Sequence, residues 1–211
     1  MAGRTATRSL TDVAGAARRV LTAKGYRATG ISDVSKELGL SHGALYTYVR
    51  SKAALIYLAL VHAMRPAALD AMALPVDPPD EGEFVRLAQR WMGDAGSARL
   101  AAALEVEEVG SIRAELGAIV DEFYAFVEHN REALALIEKC ALEVPQMFQV
   151  WFVQSRRGHF AALGRYLAAR IRSGHLRAVP DVPTAARFFV ETVAWFAWHR
   201  HGDADSAMLD D

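Results

Sequence analysis

Residues 25–52 read Gly-Tyr-Arg-Ala-Thr-Gly-Ile-Ser-Asp-Val-Ser-Lys-Glu-Leu-Gly-Leu-Ser-His-Gly-Ala-Leu-Tyr-Thr-Tyr-Val-Arg-Ser-Lys, an order that predicts two short helices joined by a tight turn. Ile31, Val34 and Leu38 make the i, i+3, i+7 stripe of a short amphipathic helix. Gly39 follows at once, where a left-handed helix end favours a residue without Cβ. Ser41 then stands as N-cap of a second helix, with Leu45 turned toward the first. A helix that enters a DNA groove must be thin at its leading end, and Gly43 and Ala44 make it so. It must also carry groups for phosphates and base edges, which Ser41, His42, Tyr46, Thr47 and Tyr48 supply.

Outward from this stretch the pattern stays helical. Leu10, Val13, Ala17, Val20 and Leu21 form one stripe, which predicts a first helix over about 9–24 ending at Gly25. A fourth helix is predicted from Ser51 to about 72, kinked or restarted by Pro66. Leu74-Pro-Val-Asp-Pro-Pro-Asp is the clearest breaker in the chain and predicts the domain joint. Beyond it, helices are predicted near 80–94, 97–110, 112–129, 131–142, 146–173 and 183–200, with Asn130, Pro145, Gly174 and Pro180–Pro183 as stops. Residues 202–211 read as a short final helix or a frayed tail.

Residues 9–60 resemble the DNA-binding domain of the TetR (tetracycline-repressor-like) transcriptional regulators. Gly25-Tyr26, Thr29, Ile31, Val34, Gly39-Leu40-Ser41, Gly43, Leu45-Tyr46, Tyr48 and Ser51-Lys52 stand where that family carries its pattern. The chain departs from it at Gly30, Ser35, Val49 and Ala53, where the family has Ser or Thr, Ala, Phe and an acidic residue. Gly30 removes a hydroxyl that would cap the helix beginning at Ile31 or meet a phosphate. The resemblance implies an all-α protein, with a three-helix DNA-binding domain over 1–55, a linking helix 51–72 and a helical effector-binding and dimerisation domain over 73–211. It adds weight to Tyr46 and Lys52 as phosphate contacts. Thr29 and Ser41 offer hydroxyls or backbone N–H groups to phosphate, and His42, Ala44 and Thr47 are the candidates for base readout. Plain alternatives stand beside these: capping for Thr29 and Ser41, core packing with a surface hydroxyl for Tyr46, packing on the fourth helix for Tyr48, and a solvated surface for His42.

Net charge is −1, yet its distribution is uneven. Residues 1–65 hold ten Lys/Arg (4, 8, 18, 19, 24, 27, 36, 50, 52, 65) against Asp12, Asp33 and Glu37, and the remainder is acidic. A basic head on an acidic body is the electrostatic footprint of a DNA-binding module joined to something else. No apolar run approaches the ~20 residues needed to span a bilayer, and residues 1–8 lack the apolar core of a secretory signal. Cys140, the sole cysteine, excludes an intrachain disulfide and fits a reducing compartment. These features lead us to expect a cytoplasmic location and no membrane association.

The second half is rich in large aromatic residues. Most fill a core, but such a body can also enclose an apolar ligand. Trp91, Phe123, Phe148 and Trp151, on different predicted helices or at their joints, are the candidate effector-binding residues. Phe152, Phe160, Leu163, Leu167 and Ile171 form one face of the 146–173 helix, while 183–200 is apolar nearly all round. That pattern fits either an intramolecular core or, as the resemblance implies, a dimer seam. Glu105, Glu107 and Glu108 read as a solvated face, and His199, His201, Asp203 and Asp205 lack metal-ligand spacing.

No catalytic triad, metal spacing or phosphate loop is present, so neither enzyme activity nor a cofactor, metal or catalytic residue is expected. The overall expectation is a homodimeric repressor that binds a palindromic double-stranded DNA operator and is released by a small apolar or amphipathic effector. The alternative is a ligand-independent regulator or activator of the same fold.

Overall fold

Ser9 opens the chain's first helix by a reciprocal cap. Its hydroxyl accepts from the Asp12 backbone N–H at 3.0 Å, and its own N–H donates to the Asp12 carboxylate at 3.1 Å. The computed structural model describes residues 8–80, 82–93 and 98–207. Among them there is no β-strand, only one isolated bridge between Val49 and Val76. The predicted final segment 202–211 is described only as far as 207, where a short helix runs over Ala204–Ala207; 208–211, and the predicted helix ends at 94 and 97, lie outside the described residues.

The helices are α1 Leu10–Lys24, α2 Ile31–Leu38, α3 His42–Leu45, α4 Lys52–Met64, α5 Glu83–Gly93, α6 Ala98–Glu105, α7 Ile112–His129, α8 Arg131–Cys140, α9 Pro145–Phe148, α10 Arg157–Arg172, α11 Val182–Ala197 and α12 Ala204–Ala207. The predicted 51–72 helix stops at Met64 and restarts as a 3₁₀ turn over Pro66–Ala71. Pro66 causes the break, since it has no N–H for the ladder. The predicted 146–173 helix begins as α9, widens to a π-helical stretch over Gln149–Arg156 and continues as α10. The helix predicted to 110 ends at Glu105, and the Arg170 guanidinium donates to the carbonyls of Ala103 and Val106 at 2.6 and 3.1 Å. Terminal carbonyls satisfied by a side chain need no further helical turn.

The chain forms two compact units, Met1–Trp91 with Glu132–Trp151, and Met92–Arg131 with Phe152–Asp211. In the first, the core gathers Val13, Ala17 and Leu21 of α1, Val34 of α2, Leu45 of α3, and Leu55 and Leu58 of α4, all fully buried. The small run Ala14-Gly15-Ala16-Ala17 is buried on α1 and lets α4 approach closely. A Cβ at Gly15 would stand 3.5 Å from the His62 ring.

In the second unit, Leu100, Ile119, Leu163, Tyr166, Ala186 and Val190 are buried together. Beside them the Arg170 Nε donates to Glu115 at 2.7 Å, and the Tyr166 hydroxyl donates to the same carboxylate at 2.9 Å. This buried ion pair joins α6, α7 and α10, and the Arg170 bonds hold the Glu115 carboxyl below its ordinary range. No described helix is long and apolar enough to cross a membrane.

Candidate nucleic-acid interface

The turn between α2 and α3 forms as its residues dictate. Gly39 lies in the left-handed region at φ 67°, which a side chain would strain. Ser41 is extended and its hydroxyl accepts from the Ala44 N–H at 3.2 Å, the N-cap bond that starts α3. At the start of α2, Gly30 has no hydroxyl to give. Asp33 supplies the remaining half of the cap, accepting from the Gly30 N–H at 2.7 Å.

The outer surface of this element carries Ser41, His42, Gly43, Tyr46 and Thr47, all exposed, with Ala44 half-buried beside them and Leu45 turned into the core. A Cβ at Gly43 would meet nothing, so the leading turn is bare of obstruction. His42 and Tyr46 stand one turn apart with rings edge-to-face at 5.4 Å, so each limits the other's rotamers. Tyr46 is 44 % exposed, unlike Leu45 beside it, which is fully buried. The Thr47 hydroxyl donates back to the Ala44 carbonyl at 2.8 Å, and its oxygen retains the capacity to accept.

Three of the residues singled out from sequence lie differently. Thr29 is 1 % exposed and its hydroxyl donates to the Gly25 carbonyl at 2.7 Å, spanning the α1–α2 turn. Tyr48 is only 8 % exposed, and its hydroxyl donates to the Arg8 carbonyl at 2.8 Å. Lys52 donates to the Arg27 carbonyl at 3.1 Å with its ammonium 4.5 Å from the centre of the Tyr26 ring, which leaves two of its three N–H donors for another partner.

Several supporting residues were not apparent from sequence. Arg8 donates from Nε and a terminal nitrogen to the Leu38 carbonyl at 3.2 and 2.9 Å, capping the end of α2. Glu143, from the turn after α8, accepts from the Arg27 N–H at 2.7 Å. Val76, in the Pro-rich segment predicted as a joint, accepts from the Arg50 N–H at 3.0 Å and donates to the Tyr48 carbonyl at 2.7 Å, and Asp77 pairs with Arg50. Their partners lie far away along the chain, 116 residues in the case of Glu143, so no local pattern signals them.

The predicted effector residues are divided. Trp91 and Trp151 meet in the first unit with ring centroids 5.5 Å apart, whereas Phe123 stacks on His159 in the second, at 4.8 Å. Trp151 also lines an apolar crevice with Leu60, Met64, Phe84, Leu87, Ile137, Met147 and Val150. Its inner free space is about 20 Å³, room for about one water. Among the described residues no group of three or more His, Cys, Asp or Glu is placed to hold a metal.

Residues 15–57 match the family described as bacterial regulatory proteins, tetR family. No curated protein matches the sequence. Among solved structures, the chain is similar to the TetR family transcriptional regulator PfmR from Thermus thermophilus, at 22 % identity and TM-score 0.48, over 88 % of this chain and 84 % of that one. It is also similar to a TetR/AcrR-family regulator from Thermobifida fusca, at 19 % and 0.43 over 89 % and 83 %. Bacillus subtilis FadR, solved with stearoyl-CoA, matches at 16 % and 0.43 over 94 % and 91 %. Over residues 15–57 this chain carries the N-terminal helix-turn-helix DNA-binding domain of the tetR family of bacterial transcriptional regulators.

Proposed function

We propose that this protein is a homodimeric repressor that reads a palindromic operator through α3 and is released by a small apolar or amphipathic effector. One observation carries the DNA-reading part: an exposed, unobstructed surface of Ser41, His42, Gly43, Tyr46 and Thr47 on a capped helix, within a head that is strongly basic. In this reading His42, Ala44 and Thr47 meet base edges, and Ser41, Tyr46 and Lys52 meet phosphates. Thr29 and Tyr48 serve the reader from inside by holding its turns.

Dimerisation is supported by the second unit's apolar surface. Phe188 is 73 % exposed on α11, with Trp195 and Phe196 also outward. A groove of about 340 Å³ beside them is lined by Leu167, Ile171, Leu176 and Phe189. Apolar surface of this kind marks an interaction site, and two readers spaced about 34–36 Å apart would then enter successive major grooves.

For the effector, the crevice beside Trp151 and its neighbour Trp91 is the proposed seat, with Phe148 in the same unit. Its small free space means a ligand must part the crevice walls, and the closed crevice favours the alternative of a ligand-independent regulator to that extent. Selection of bound DNA from a random pool tests the operator. A thermal-shift screen of apolar metabolites, followed by competition against that DNA, separates the two readings. By reciprocity a releasing ligand binds more weakly when operator is present.

A further inference from the structure

The backbone of Arg27 is held from two sides by charged side chains that lie outside the α1–α2 turn. Its carbonyl accepts from the Lys52 ammonium at 3.1 Å, at the start of α4. Its N–H donates to the Glu143 carboxylate at 2.7 Å, from the turn that joins α8 to α9. The approach depends on the bareness of Gly25, since a Cβ there would stand 3.3 Å from the same carboxylate oxygen. A second bond runs beside it, from the Cys140 thiol to the Leu21 carbonyl at 3.6 Å. The last turn of α1 and the turn after it are therefore fastened to residues 140–143, all within the first compact unit.

We propose that Glu143, far outside the helix-turn-helix in sequence, is a positioning residue for DNA reading. Residues 25–29 set the angle at which α1 meets α2, and α2 carries α3. A charge-assisted bond at Arg27 narrows the range of that angle, so less ordering is left to be done when α3 enters a groove. This rests on the DNA-reading function proposed above. It also places the segment between Ile137 and Met147, which line the crevice, in mechanical connection with the reader. A ligand that parts α8 from α9 must carry Glu143 with it.

The test compares Glu143→Ala and Glu143→Gln with the wild-type full chain. Amide hydrogen exchange at Arg27 and affinity for DNA selected by the wild-type protein are both measured across a salt series. In Glu143→Ala, Arg27 exchange should accelerate and operator affinity fall about tenfold, the cost of a charge-assisted bond. The slope of log K against log salt should not change, because no phosphate contact is removed. Glu143→Gln keeps an acceptor oxygen and should restore most of both properties. If both variants bind DNA more tightly, Glu143 acts only as a repelling charge, and the proposal is overturned. Unchanged Arg27 exchange in Glu143→Ala overturns it too. If the wild-type protein selects no DNA, the functional reading fails by itself, and the exchange measurement still decides whether Glu143 holds the turn.

Discussion

The Tyr48 hydroxyl donates to the carbonyl of Arg8 at 2.8 Å, while the Arg8 guanidinium donates to the carbonyl of Leu38. Arg8, two residues before α1, thus fastens the end of α2 to the segment that follows α3. Tyr48→Phe deletes a single hydroxyl from this chain of bonds and should cost about 1 kcal/mol of stability. Chemical denaturation should show that loss, and DNA affinity should fall at an unchanged salt slope. Affinity falling with a shallower slope would place the hydroxyl on a phosphate instead.

Lys52→Ala should behave in the opposite way. Two of its three N–H donors remain after the bond to Arg27, and a phosphate contact from them adds about 0.9 to the salt slope per half-site. The variant should bind all sequences more weakly with a correspondingly shallower slope. An unchanged slope with unchanged affinity removes Lys52 from the interface.

Phe188, 73 % exposed in the single chain, offers a clean test of the dimer. Phe188→Glu costs the protomer little because the side chain stands in solvent. Across a two-fold seam it withdraws a buried aromatic from each subunit, worth about 1.5–3 kcal/mol apiece. Sedimentation should show a wild-type dimer at micromolar concentration and a folded monomer for the variant. A wild-type monomer would sink the two-groove arrangement.

The Arg170–Glu115 pair should make the second unit sensitive to acid and to truncation. Bonding to Arg170 lowers the Glu115 pKa. The stability it contributes is therefore present above the ordinary carboxylate value and lost as pH falls through the lower folded value. Arg170→Met leaves Glu115 without its charge partner and should cost about 3–5 kcal/mol. Glu115→Gln in the same background should recover part of that loss.

His62 carries the complementary expectation for the first unit. Burial first, and Arg18 second, lower its pKa, while Glu132 works against them. A histidine whose folded pKa lies below its unfolded one leaves the unfolded chain binding more protons. Stability is then full above the ordinary value of 6.5 and declines as pH falls through it toward the folded value. His62→Asn should flatten the fall in melting temperature between about pH 7 and 5. His159, lowered by burial, should contribute with the same sign in the second unit.

What could be read beforehand was what is local. Gly39, Ser41 and Pro66 act on their own turns, so spacing alone located the turn, the cap and the broken helix. The outward face of α3 followed from the same periodicity once Leu45 was assigned inward. Residue type did not reveal the direction of the hydroxyls on Thr29 and Tyr48, because their acceptors, Gly25 and Arg8, are chosen by the packed fold. Glu143 and Arg170 were harder still. In sequence each is one charged residue among many, and their bonds close loops of 116 and 55 residues.

Binding of the wild-type protein to a random DNA pool, read by sequencing and by anisotropy at rising salt, decides whether α3 reads an operator. A two-fold symmetric site should be enriched, with half-sites about 10 base pairs apart or a multiple of one turn. Affinity should fall steeply with salt, and Tyr46→Ala combined with His42→Ala should abolish the enrichment while the fold is kept. Recovery of no common site, together with no salt-dependent binding at low ionic strength, would contradict a DNA-reading role for α3.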